Sequence, residues 1–148
     1  MNTYIGFKFA HILTAIIALG TGAAVGMLVG FFGDDATHGA YVLRLSRRLL
    51  YGVVLPGYVL MLGTGMWMGH LADLLDARWT EAAMNLWGVG ALFYACFAVF
   101  LRRRITSWET AGPSSPACRR AAWLTSMFGA GAGLVVLVIL ALMVFKPV

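Results

Sequence analysis

Two of the three histidines in this chain sit inside apolar sequence. His11 follows the opening of "FKFAHILTAIIALGTGAAVGMLVGFFG", a stretch with no charge after Lys8, and His70 closes "GTGMWMGH". A neutral imidazole offers one N–H donor and one lone pair, and burying either without a partner is costly. Placed inside a bilayer, such a group marks a site by default. His38 lies in a polar stretch and is expected to be solvated. Cys96 and Cys118 have no metal-type spacing and read as packing residues.

What must position the histidines is set by composition. Of 148 residues 61% are hydrophobic and only 11% charged, and the mean hydropathy is +0.84, far above that of a water-soluble domain. Charge-free runs cover 9–33, 49–72, 82–101 and 121–145, each near the roughly 20 residues a helix needs to cross the hydrocarbon core. These predict an all-α, integral membrane four-helix bundle in a single transmembrane domain, 1–148, with spans at roughly 5–32, 49–72, 82–102 and 120–145. The first run exceeds the roughly 7–15 apolar residues of a signal-peptide core, so it is expected to remain as an anchor.

Orientation follows from the bases. One set of loops holds Arg44, Arg47, Arg48, Arg102, Arg103, Arg104, Arg119 and Arg120; the other side holds only Lys8, Arg78 and Lys146. The positive-inside rule then puts both termini on the outer side of a bacterial inner membrane, with a multi-pass topology. Net charge of +5 is spent at helix ends facing lipid, so nucleic acid is not implied. "SWETAGPSSPACRR" reads as a flexible connection, and "THGAYVLRLSRRLL" as a helix lying at the headgroups before the second span.

Projected at 100° per residue, Ala15, Ala18, Gly22 and Gly26 fall within about 60° of His11. Small residues let membrane helices approach closely, and Gly22, Gly26 and Gly30 repeat at that spacing, so His11 is expected to face the bundle. His70 shares a face with Gly52, Pro56 and Gly63, and is expected to face inward too. Both then lie in the outer half. Two inward imidazoles at similar depth are the usual means of holding a b-type haem by its axial positions. His11 and His70 are therefore the candidate metal ligands. Haem b is the cofactor expected, with Met66–His70 ligation of haem or a soft Cu(I) ion as the alternative. Haem propionates need cations, for which Lys8 and Arg78 are the candidates, with Lys146 also on that side. Trp67, Trp79 and Trp87 fit an aromatic belt, and Asn85 a ligand contact or a helix cap.

Taken together, Lys8-x-x-His11, "RLSRRLLYGVVLPGYVLMLGTGMWM" and the terminal "LMVFKP" resemble, over nearly the whole chain, a family of small bacterial predicted integral membrane proteins of unknown function. More distantly, the Lys-x-x-His opening is similar to that of bacterial membrane protoporphyrinogen oxidases and copper-resistance D-type proteins. The resemblance implies association with haem for the residue that matches, His11. Where the oxidases end the first helix with a Pro-Arg-Leu-Phe-type sequence this chain has "VGFFGDDATHG", so the implication is a haem-linked bundle rather than that oxidation itself.

Two functions follow as expectations. The first is a haem b protein in electron transfer or redox chemistry near the outer face, an oxidoreductase or electron carrier exchanging electrons with a quinone or porphyrin-like substrate. The second is a cofactor-free accessory or assembly subunit of a larger respiratory-type membrane complex, in contact with other membrane subunits or with further copies of itself. A transporter is disfavoured by the lack of an acidic residue inside the spans.

Overall fold

In hydrocarbon the backbone must satisfy its own hydrogen bonds, and the apolar runs do so as helices. The computed structural model describes residues 3–146. In chain order these form α1 (Thr3–Phe32), α2 (Gly39–Leu49), a π-helical turn (Leu50–Val54), α3 (Leu55–Leu71), α4 (Arg78–Ala111) and α5 (Pro116–Phe145), with no strand among the described residues. Since α2, the π turn and α3 run on as one rod over Gly39–Leu71, four helices are long and apolar enough to cross a membrane. The π turn ends two residues before Pro56 and contains Gly52, whose carbonyl, four residues back, the proline ring would meet in a regular helix; a widened turn relieves that clash.

Both segments read as interfacial or flexible are more ordered than expected. The Asp35 carboxylate accepts the Thr37 and His38 backbone N–H groups at 2.9 and 2.6 Å, an Asx-type turn that launches α2 well before Leu49. Running on into α3 as one rod, α2 buries Val42, Leu43 and Ser46 and leaves Arg44, Arg47 and Arg48 exposed. The "SWETAGPSSPACRR" segment is mostly helical: α4 continues to Ala111, Gly112 turns at φ 81°, and the Ser115 hydroxyl accepts the Cys118 N–H at 3.2 Å to cap α5. Proline at the first position of α5 suits that cap. The segment is held by Trp108, which packs where Gly39 has no side chain: a Cβ there would come within 2.6 Å of the indole.

Arg104, expected in a loop, is 1% exposed. Its guanidinium donates to Asp34 at 2.6 Å and to the Val29 carbonyl at 3.5 Å, closing the end of α1, where a cation is favoured. Arg44 adds an exposed pair to Glu109 at 2.7 Å.

Packing is uneven along the bundle. The core of Val25, Val29, Leu50, Val54, Leu101 and Ile105, among others, fills the middle and the arginine end. Of the helix pairs, α4 and α5 pack most extensively, α1 packs on α3, and α3 and α4 touch at few points. The α1–α3 contact rests on Gly57, where a Cβ would lie 2.6 Å from that of Ala18. Ala18, Val25 and Val29 are the buried residues of α1. Gly26 and Gly30, expected to pack on a neighbour, instead face outward with open space beside them, and only Gly22 of that stripe meets other helices, at Val54 and Tyr94. A straight helix drifts off any four-residue repeat, since four residues turn it through about 400°.

Candidate functional site

The end of the bundle where α1 begins and α5 ends is splayed, and a cavity of about 480 Å³ opens between the α1–α3 pair and the α4–α5 pair. That lies within the roughly 300–1,000 Å³ of small-molecule sites. Its floor is a reciprocal clamp between the two pairs. Tyr58 O–H donates to the Trp87 carbonyl at 3.0 Å, the Trp87 indole N–H donates to the Tyr58 carbonyl at 3.3 Å, and the rings stack with centroids 5.0 Å apart. Below them Tyr94 meets Tyr58 edge-on. This clamp joins α3 to α4 where they otherwise scarcely meet.

Walls come from every helix around the splayed end. Ala15 and Leu19 of α1, Met61 and Gly65 of α3, Met84 of α4 and Ile139 of α5 are apolar, and Leu74 and Leu75 of the connecting segment fold in against Gly69. Among the described residues the lining holds no carboxylate; its charged groups are Lys8 and Lys146. Lys146 caps α5 in the left-handed region, φ 41°, which sets its ammonium 5.7 Å from the centre of the Trp79 ring, a cation–π distance.

His11 is the polar group of the α1 wall. Its Nδ1 lies 2.9 Å from Thr64 Oγ1 on α3. Thr64 has one hydroxyl hydrogen, and it faces the Leu60 carbonyl at 2.8 Å and the Met61 carbonyl at 3.2 Å. Carbonyls only accept, so the Thr64 oxygen receives a hydrogen from His11 Nδ1–H, which assigns the lone pair to Nε2. Fixing one ring nitrogen through an oxygen partner while the other stays basic is how proteins prepare a histidine for ligation. Gly65 makes room for the ring, since a Cβ there would lie 3.1 Å from His11 Cε1.

The other expected site residues are not gathered here. Lys8 and His11 line the cavity; His70 and Arg78 are exposed and do not. His70 does share its face with Gly52, Pro56 and Gly63, but all four are exposed. The buried face of α3 is the one with Gly57, Tyr58 and Gly69. Met66 reaches the cavity without His70, and Asn85 is exposed and outside it. Among the described residues no group of three or more His, Cys, Asp or Glu side chains could enclose a metal ion. Lys146, placed on this side by the count of bases, lines the cavity, whereas Thr64, Thr80 and Tyr58 belong to the site although their spacing gives no sign of it; Thr64, seven residues after Gly57, would have been found by asking what faces His11 from the close-packed side of α3.

A chain of four apolar helices, tight at the arginine end and hollow at the other, defines an integral membrane protein that crosses the bilayer several times and contacts its lipid. It belongs to the DUF2269 family of predicted integral membrane proteins, whose sequence model it matches over residues 6–147. No curated protein and no solved structure matches it.

Proposed function

We propose that this protein holds a b-type haem in the terminal cavity, with His11 Nε2 as the axial nitrogen, and acts in electron transfer or redox chemistry. The observation that carries the reading is the His11–Thr64 hydrogen bond, which leaves a basic imidazole nitrogen on the wall of an apolar cavity. The residues present fit the group: aromatic Tyr58, Trp79 and Trp87 suit a flat ring system, and Lys8 and Lys146 suit its two carboxylates. Haem supplies one-electron exchange, and the protein's part is to orient it, tune it and keep water away. Thr64 holds the imidazole in one tautomer, and the Tyr58–Trp87 clamp seals the floor. The cavity's apolar walls suit electron partners of the quinone or porphyrin-like class. With His70 outside the cavity, ligation by His11 alone or with a methionine such as Met66 replaces the paired-histidine arrangement.

The arginine distribution supports placing the cavity at the outer face of a bacterial cytoplasmic membrane. A second reading, an accessory subunit without cofactor, is favoured by Gly26 and Gly30, whose open faces on α1 suit packing by another membrane helix. Absorption spectra of protein purified from haem-replete membranes separate the two. The first reading expects a Soret band that His11→Ala abolishes and His38→Ala leaves intact. A colourless wild type favours the second.

A further inference from the structure

Among the described residues, one buried side-chain oxygen on the cavity wall has no partner: Thr80 Oγ1, in the first turn of α4. A buried unpartnered hydroxyl is costly and calls for an explanation. Thr80 adjoins Trp79, over whose ring Lys146 sits. Across the cavity, Lys8 is three residues before His11, about one turn nearer the terminal end. No carboxylate among the described residues pairs with either lysine. One rim of an otherwise apolar cavity thus offers an orphan hydroxyl and two cations brought by three different helices, with no acidic group in the lining to oppose an anion.

We infer that Thr80, Lys146 and Lys8 form a carboxylate-recognition rim, which fixes which edge of the bound ring system faces the membrane surface. This rests on the porphyrin reading above and adds to it the part of Thr80 and the orientation of the ligand, a flat apolar body bound by its carboxylate-bearing edge at the rim and by its centre at His11. Each ammonium makes a charge-assisted hydrogen bond to a carboxylate, and the Thr80 hydroxyl, which lies just beneath the cavity surface, turns about its Cα–Cβ bond to donate its hydrogen to one of their oxygens. The cation–π contact with Trp79 holds Lys146 at the rim before any ligand arrives.

The test uses the full chain in lipid nanodiscs, freed of pigment and titrated with ferric haem, its dimethyl ester and metal-free protoporphyrin. Binding is read from quenching of tryptophan fluorescence, to which Trp79 and Trp87 on the cavity wall contribute. The diacid is expected to bind about tenfold or more tightly than the ester, as charge-assisted hydrogen bonds require. Lys8→Gln, Lys146→Gln and Thr80→Val should each weaken the diacid while leaving the ester unchanged, and Thr80→Ser should restore it. Equal affinity for acid and ester, or lysine variants that bind the diacid normally, would overturn the rim. Metal-free protoporphyrin separates this from the axial assignment, because it keeps both carboxylates and has no iron. It should depend on the rim and be indifferent to His11→Ala. If it binds through the rim but haem binds no more tightly than it does, the rim stands and the axial role of His11 falls. If no porphyrin binds at all, both fall.

Discussion

His11 Nδ1 lies 2.9 Å from Thr64 Oγ1, and this contact ties α1 to α3 at the wall of the terminal cavity. Because Thr64 spends its hydroxyl hydrogen on the Leu60 carbonyl, it acts on His11 only as an acceptor. Thr64→Val keeps the shape and removes that acceptor, leaving the ring free to change tautomer. Haem affinity is expected to drop about 10–100-fold, the usual effect of losing such a partner, and Thr64→Ser to recover it; titration of stripped protein with haem measures both. Unchanged affinity in Thr64→Val would remove Thr64 from the site.

Close approach of α1 and α3 makes a second prediction. Gly57→Val forces a side chain into Ala18, whereas Gly26→Leu enters open space. The first is expected to cost about 1–3 kcal/mol, the usual range for overpacking, and the second nothing measurable. Thermal unfolding in detergent ranks them, and an equal loss in both would place the α1 contact elsewhere.

How much of this was legible depends on what each residue answers to. The four apolar rods follow from hydropathy and length, and the inward face of His11 from Ala15, Ala18 and Gly22, although Gly26 of the same face points outward. The angular grouping of His70 with Gly52, Pro56 and Gly63 was also legible, but its direction was not: projection fixes which residues share a face, while the facing helix decides which face is covered. Small residues occur on both faces of α3, and Gly57, buried against Ala18, marks the packed one. Tyr58 and Thr80 enter the cavity from segments far apart in the chain, so no local pattern could join them, whereas Lys146 was placed at this end by the count of bases. The buried state of Arg104 was hidden by its place in a run of three arginines, of which Arg102 and Arg103 remain exposed.

At the arginine end, Arg104 is buried while Asp34 is largely open to solvent. Asp34→Asn keeps an oxygen that can accept from the guanidinium but removes the negative charge paired with it, leaving the buried cation uncompensated. The expected loss is about 1–3 kcal/mol, less than the 3–5 of a pair buried on both sides, because solvent reaches Asp34. Unfolding in detergent checks it, and Arg104→Met should be better tolerated, since it removes the buried charge altogether.

The α2 cap has a pH signature. The His38 backbone N–H first, then that of Thr37, hold the exposed Asp35 carboxyl below its ordinary value of 3.8. With the folded value depressed, the cap contributes fully above the ordinary value and is lost as pH falls through the depressed one. Hydrogen exchange at Thr37 and His38 should therefore show protection at neutral pH that Asp35→Ala removes. Equal exchange in both proteins would mean the carboxylate does not hold the turn.

Haem content of the purified protein shows whether His11 holds haem iron in the terminal cavity. Wild-type protein from haem-replete membranes, assayed as its pyridine complex, is expected to carry haem near equimolar with the chain. His11→Ala should carry almost none, and His70→Ala should match the wild type because His70 lies outside the cavity. A haem-free wild type, or full haem content in His11→Ala, would rule out that role for His11.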